Sequence, residues 1–304
     1  MSANTLEEQD MTTVGFIGLG IMGAPMAEHL IAAGHQVAGY SRGSSNSAWA
    51  SRLVEAGGRA ATDVADAVAD ADVVITMLPN HPQVEEVVLG DKGVLASARP
   101  GTLLIDMSTI RPESSTAIAS AAAQRDMRVL DAPVSGGEAG AKQGTLSIMV
   151  GGTADDFSAA LPILEALGKT IVHVGPHGAG QTVKAANQLV VAGTYALVSE
   201  AIVLLEASGV DAKAGLDVLA GGLAASRILD LKRESMLARQ FQPGFRIDLH
   251  HKDMGIATAA ARSADVALPV TGLIAQLMAA ARSMGFGSLD HSALLKVIEA
   301  LSGR

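Results

Sequence analysis

Lys184, Asn187 and Gln188 stand at i, i+3 and i+4 in a stretch otherwise rich in Ala, Val and Leu, so a helix there presents one ammonium and two amides on a single face. Such an ammonium can serve as general acid to a carbonyl oxygen while hydride arrives at the carbon, with Asn187 orienting either the substrate or the lysine. The competing reading is a lysine that snorkels to solvent along an apolar helix. Upstream, Asp131-Ala132-Pro133-Val134-Ser135-Gly136-Gly137 ends an apolar run in a turn whose hydroxyl and successive N–H groups form a concavity suited to a carboxylate; a generic glycine turn is the alternative. Downstream, Lys252 lies in the polar stretch Phe245–Asp253 and can reach a cleft, while Asp248 reads as a cap for the helix that follows. His250 and His251 are adjacent and point in different directions, and there is no HExxH and no carboxylate cluster, so no metal is expected.

A second constellation lies near the start. Val14–Ile17 leads into Gly18-Leu19-Gly20-Ile21-Met22-Gly23 and then a helical pattern over Ala24–Ala33, which is GxGxxG in strand–turn–helix context. Gly18 permits the tight turn, Gly20 the approach of a pyrophosphate to the backbone, and Gly23 close helix–strand packing, with free amides facing the anion. The next strand ends Tyr40-Ser41-Arg42, without the carboxylate that would hold a ribose 2′-hydroxyl. Arg42 can instead pair with a 2′-phosphate, and Ser41, Ser44 or Ser45 can add hydrogen bonds, which favours NADP over NAD. Two further strand ends, Thr76–Asn80 and Asp106–Thr109, fall where an open α/β sheet binds its ligand, so both turns should border the cofactor; Pro79 also reads as a plain loop-former, and Ser108 or Thr109 as a helix N-cap.

Elements must hold these groups in place. Short apolar runs at Val14–Ile17, Gln36–Tyr40, Val73–Met77, Leu103–Asp106, Met127–Leu130, Ser147–Val150 and Thr170–Val174 alternate with helical patterns, predicting a mostly parallel sheet covered on both faces. After the breaker cluster Gly175-Pro176-His177-Gly178 only helical periodicity continues. The expected organisation is an N-terminal extension over 1–12, an α/β domain over 13–175 and an all-helical domain over 176–304. A helix from about Gly180 to Ser208, ending before Gly209, would span about 40 Å and connect the two domains. Shorter helices are expected at Lys213–Ala220, Ser226–Leu237, Leu249–Ser263, Pro269–Met284 and His291–Leu301, the last capped by Asp290.

Composition narrows the function classes. The 304 residues carry 22 Lys plus Arg against 31 Asp plus Glu, a formal charge of −9, the wrong sign for a general nucleic-acid binder. Hydrophobic residues make up 49% and charged ones 17%, which describes a globular chain with a sizeable core. The absence of cysteine removes disulfides, thiolate metal sites and Cys nucleophiles, and suits a reducing compartment. The first ten residues are polar and acidic and do not read as a signal peptide, so the expected location is the cytoplasm. The apolar stretch Leu189–Val210 contains Thr194, Ser199, Glu200 and Glu206, which argues for a soluble helix and not a membrane span. Apolar helix faces in the second half suggest self-association as a dimer or tetramer.

Taken in order, Gly18–Gly23, Asp131–Gly137, Gly178-Ala179-Gly180 with Lys184–Gln188, and Lys252-Asp253 resemble the β-hydroxyacid dehydrogenase family over nearly the whole chain after Thr13. Thr76–Asn80, Gly221–Ala224, Pro243–His250 and Asp290–Leu294 are most similar to its tartronate semialdehyde reductase branch. The resemblance implies an N-terminal Rossmann domain with a doubly wound, mostly parallel sheet, joined by a long interdomain helix to an all-α domain. It implies NAD(P)H-dependent reduction of a small semialdehyde acid, with Lys184 as the catalytic lysine. Ser135, Gly136, Gly137 and Asn187 would engage the substrate, Lys252 both cofactor and substrate, and Leu78, Pro79 and Thr109 the dinucleotide. Ser41 departs from the acid common in NAD-using members, whereas Arg42 occurs with either nucleotide.

Overall fold

The computed structural model describes residues 11–42 and 46–304; residues 1–10, and with them most of the expected extension, and Ser44 and Ser45 lie outside the described residues. Contacts divide the chain into a first unit ending at Lys184 and a second, Ala185–Arg304.

The first unit is built on one sheet with strands β1 (Thr13–Ile17), β2 (Gln36–Tyr40), β3 (Arg59–Ala60), β4 (Val73–Thr76), β5 (Leu103–Asp106), β6 (Arg128–Asp131), β7 (Val134–Ser135), β8 (Leu146–Gly151) and β9 (Gly168–Gly175). Their order is β3-β2-β1-β4-β5-β6-β8-β7, with β9 also paired to β8. The first six strands of that order run parallel, and their order reverses direction beside β1, the doubly wound arrangement. β8 then runs antiparallel to β6 and β7. The central strands β1, β4, β5 and β6 are buried on both faces, which is why they read as continuous apolar runs. Phe16, Ile75, Ile105 and Leu130 enter one core with Met26, Leu30 and Ile148, while their chain neighbours Ile17, Val74, Leu104 and Val129 enter the opposite core with Val84 and Ile118. That division is the two-residue alternation of strands.

Register matters most for the site. Ile17 pairs with Tyr40 and with Thr76, Thr76 with Asp106, and Asp106 with Asp131, so these strands end level. The residues that follow, from Gly18, Ser41, Met77, Met107 and Ala132 onward, emerge along one carboxyl edge. The two-residue strands β3 and β7 were not expected, being too short to carry a periodic signal.

Beyond β9 the chain is helical apart from an isolated bridge between Arg246 and Asp290. The helix Ala179–Ala207 runs 29 residues and is followed by Gly209 at φ +71°. By length and composition it could cross a membrane. Here Ala192, Tyr195, Ala196 and Ile202 are buried in the helical core, and Glu206 pairs with Arg239 at 2.7 Å. The later helices are Ala212–Ala220, Arg227–Leu237, Ile247–Ser263 and Pro269–Ser283, then a short 3₁₀ turn His291–Ala293 leading into Leu294–Leu301. Ser226 accepts from Leu229 N at 3.1 Å and Asp290 from Ser292 N at 3.2 Å, both acting as caps. Asp248 does not cap. Burial of Ile247 starts its helix earlier than the periodicity suggested, so Asp248 sits inside the first turn and binds Arg282 Nε at 2.6 Å.

Candidate active site

The glycine turn leaves β1 at Gly18, whose φ of +109° and close approach to the Met77 carbonyl exclude a side chain. Gly18 N donates to Tyr40 O at 2.8 Å, so the turn is stitched to the end of β2 that carries Ser41 and Arg42. The helix Gly23–Ala32 follows with no acidic residue in its first turn, as an anion-binding terminus requires. Above Gly20 the space a Cβ would occupy is open, while at Gly23 a Cβ would strike the Gly18 carbonyl. This combination of open amides and close packing fits a dinucleotide pyrophosphate. Ile21 is exposed and Met22 half-buried, but Leu19 is buried in the core and packs toward Gly39, so only its backbone belongs to the turn. Arg42 is exposed and holds Glu86 through both terminal guanidinium nitrogens, Nη1 and Nη2, at 2.8 and 3.0 Å.

The neighbouring turns are tied together beneath. Leu78 N donates to Ser108 Oγ at 2.9 Å, coupling the half-buried Leu78 and exposed Pro79 to the turn that bears Thr109. Asp106, at the end of β5, accepts from Thr76 Oγ1 at 2.7 Å and from Ser108 N at 3.1 Å, and its Oδ2 is buried without a hydrogen bond. Burial pushes its pKa up to about 6 against the pull of those donors.

Lys184 is positioned by the start of its helix. Asp131, at the end of β6, accepts from Gly178 N at 2.7 Å and Gln181 N at 2.9 Å, fastening that start to the sheet edge. Burial raises the Asp131 pKa, and these backbone donors oppose the shift. One turn before Lys184, the fully buried Gln181 donates to Ser108 O at 2.9 Å and accepts from Ile110 N at 3.0 Å, spanning the Thr109 turn. Lys184 itself is only 7% exposed, and its Nζ donates to Val134 O at 2.6 Å. The ammonium therefore lies beside Ser135-Gly136-Gly137, where Ser135 is half-buried and the two glycines, at φ of +132° and +60°, are exposed. Within the first unit, then, the glycine turn, Leu78-Pro79, Thr109, Ser135–Gly137 and Lys184 all gather along the carboxyl edge.

In the second unit, Asn187 Nδ2 donates to Gln188 Oε1 at 2.8 Å and Gln188 Nε2 to Asp253 Oδ2 at 2.5 Å. Lys252 Nζ lies 3.0 Å from Asp253 Oδ1, close enough for an ion pair but outside hydrogen-bonding direction, since that oxygen takes no hydrogen bond. His250, fully buried, faces Gln188 O with Nε2 at 3.2 Å and His291 Nδ1 with Nδ1 at 3.0 Å. The carbonyl can only accept, so His250 carries its proton on Nε2 and takes the His291 Nδ1–H. Burial, then the neighbouring His250, lowers the His291 pKa well below the ordinary value and keeps that ring neutral. Sequence reasoning missed Gln181, the Asp131 anchor and this histidine pair.

Comparison with known proteins extends the geometry. Residues 13–175 match the family described as the NAD binding domain of 6-phosphogluconate dehydrogenase, and residues 178–298 that described as NAD-binding of NADP-dependent 3-hydroxyisobutyrate dehydrogenase. The chain is 41% identical over 289 residues to the 2-hydroxy-3-oxopropionate reductase of Escherichia coli, covering 95% of this chain and 98% of the relative. It is 38% identical over 301 residues to the NAD-dependent L-serine dehydrogenase of Pseudomonas aeruginosa, covering 97% and 100%. A solved structure of Mycobacterium tuberculosis 3-hydroxyisobutyrate dehydrogenase with L-serine superposes with a TM-score of 0.85 at 36% identity, covering 95% of this chain and 99% of the other. Fold and glycine turn define an NAD(P)-dependent oxidoreductase acting on a CH–OH group. The chain belongs to the β-hydroxyacid dehydrogenase family.

Proposed function

We propose that this hydroxyacid dehydrogenase reduces a small semialdehyde acid, with tartronate semialdehyde going to glycerate, and that Lys184 is the general acid. The observation that carries the reading is the buried Lys184 ammonium held at 2.6 Å by the Val134 carbonyl, next to the half-buried Ser135 and the exposed Gly136-Gly137. That bond takes one of the three ammonium donors and fixes its direction. The Ser135 hydroxyl and the Gly136 and Gly137 amides bind the substrate carboxylate, which sets the carbonyl oxygen against Nζ. NAD(P)H supplies the hydride to the carbonyl carbon when bound. Lys184 gives a proton to the developing alkoxide, and the resulting amine is reprotonated from solvent. Asn187, on the next turn of the same helix, and Lys252 engage the substrate, Lys252 also bordering the cofactor.

The dinucleotide is held by the turn Gly18, Leu19, Gly20, Ile21, Met22, Gly23, by Ser41 and Arg42, and by Leu78, Pro79 and Thr109. NADP is favoured over NAD because β2 is followed by Ser41-Arg42 and the Arg42–Glu86 pair is exposed and therefore weak, so a 2′-phosphate can displace the carboxylate. A second reading, 3-hydroxyisobutyrate dehydrogenation, is favoured by the family description matched over 178–298. A non-catalytic dinucleotide-binding scaffold is disfavoured by the anchored Lys184.

The chain works in the cytoplasm, to which its lack of cysteine is suited, as a homo-oligomer. Val190, Leu197 and Leu204 recur at seven-residue spacing on the long helix and are 62%, 67% and 66% exposed, a stripe that a second copy can cover.

The test is kcat/KM for tartronate, methylmalonate and succinic semialdehydes and glyoxylate with each nucleotide, repeated with Lys184→Ala. The variant should lose roughly 10²–10⁴-fold in turnover and still bind dinucleotide. Undiminished turnover would overturn the assignment, and cofactor binding with no turnover on any substrate would favour the scaffold.

A further inference from the structure

We propose that Asp253 and Gln188 hold the Asn187 amide with its carbonyl as the substrate-facing end, so that the site selects a hydrogen-bond donor, hydroxyl or ammonium, on the carbon next to the reacting one. The inference rests on the reading above that Asn187 is a substrate ligand.

The polarity follows from the order of the groups. Asp253 is 1% exposed and paired with the Lys252 ammonium at 3.0 Å, so it is a carboxylate and both its oxygens are acceptors. An acceptor at Oδ2 obliges the 4% exposed Gln188 to turn its nitrogen that way, which it does at 2.5 Å. The Gln188 oxygen is then directed at Asn187 and must meet a donor, and Asn187 Nδ2 supplies one at 2.8 Å. His250 holds the Gln188 backbone carbonyl at 3.2 Å, so main chain and side chain are both fixed. With its nitrogen turned toward Gln188, Asn187 has Oδ1 as its other end. Reversing either amide would set two oxygens or two N–H groups against each other in a buried network, where unmade hydrogen bonds are costly. Positioning residues two places removed from the ligand thus decide whether Asn187 offers an acceptor or a donor.

A hydroxyl can give or take a hydrogen bond, whereas an ammonium can only give. The informative pair is therefore racemic glycerate and racemic serine, which differ at carbon 2, each measured as a substrate for oxidation or as a competitive inhibitor in the presence of NAD(P)⁺. The wild-type enzyme should bind both. In Asp253→Asn, Lys252 draws the new amide oxygen toward itself, leaving N–H facing Gln188, which flips and flips Asn187 in turn. Serine should then weaken about tenfold or more relative to glycerate. Because serine and glycerate differ in charge, the lost Asp253 carboxylate and the released Lys252 also act on their ratio; a charge-matched ligand, 3-hydroxy-2-methoxypropanoate, can only accept at carbon 2 and should gain on glycerate in Asp253→Asn, where no gain would overturn the relay. Combining Gln188→Glu with Asp253→Asn restores the arrangement: Asn at 253 donates to one oxygen of Glu at 188, and the other accepts from Asn187. The serine-to-glycerate ratio should return to within about threefold of wild type.

No serine binding by the wild-type enzyme at levels where glycerate saturates would overturn the relay, as would an unchanged ratio in Asp253→Asn or an unrestored ratio in the folded double variant. Asn187→Ala separates the two levels of the claim. If it leaves both constants unchanged, Asn187 is no substrate ligand; if it weakens glycerate while Asp253→Asn leaves the ratio intact, the relay alone fails.

Discussion

Asp106→Asn should abolish a pH dependence of stability that lies beneath the turns of the sheet's carboxyl edge. Asp106 is buried at the end of β5 with a pKa of about 6 in the folded protein, against 3.8 for an ordinary aspartate. Between those values the folded state keeps a proton that the unfolded state has released, so raising the pH favours unfolding. Stability is therefore greatest below about pH 4, falls as pH rises to about 6 and is level above that. At 1.36 kcal/mol per pH unit the loss is about 3 kcal/mol. Asn keeps an oxygen for Thr76 Oγ1 and Ser108 N but does not titrate. Its nitrogen falls where Oδ2 has no partner, a cost of about 1–3 kcal/mol that is the same at every pH. The slope, not the absolute stability, is thus the readout. Asp131, also raised by burial, titrates in both proteins and drops out of the comparison to first order. Urea unfolding followed by the fluorescence of Trp49, the chain's one tryptophan, reports on the first unit because that ring packs against its core. Profiles from about pH 4 to pH 8 should converge for the two proteins as pH rises or cross, with the variant flatter by about 3 kcal/mol. Parallel profiles would show that Asp106 pays no desolvation penalty and refute the argument.

Three further outcomes follow from single contacts. Glu86→Gln frees Arg42 from its exposed bidentate pair, and the NADP-to-NAD ratio of kcat/KM should rise about fivefold; an unmoved ratio means that Arg42 does not face the 2′ position. Gly18→Ala meets both a positive φ and the Met77 carbonyl, so it should destabilise by about 2 kcal/mol or more and abolish the fluorescence enhancement of bound NAD(P)H; near-normal cofactor affinity would count against the turn. Leu197→Glu puts a charge in the exposed apolar stripe of the long helix and should shift the mass measured by light scattering toward the monomer, whereas an unchanged oligomer would exclude that face.

What could be read from the sequence is what depends on neighbours along the chain. The glycine turn announces itself because only Gly tolerates φ of +109° at Gly18 against the Met77 carbonyl, and the long helix because its apolar period is sustained from Ala179 to Ala207. Asp290 is legible as a cap because a cap acts within three residues. The pattern also over-reads: Leu19 belongs to the turn by position, yet its side chain serves the core. Everything that gives Lys184 its direction is remote. The Val134 carbonyl lies 50 residues upstream of it, and the Gln181 amide reaches back 71 residues to Ile110. Neither partner has a distinctive residue type, since a backbone carbonyl and a backbone N–H occur at almost every position. A lysine on an apolar helix therefore reads the same whether it snorkels to solvent or is buried, until the sheet brings β7 to it. The same holds for Arg42, whose partner Glu86 is 44 residues away and decides where the guanidinium is held. Local chemistry nominates the residues, and long-range packing decides which atom of each is available to react.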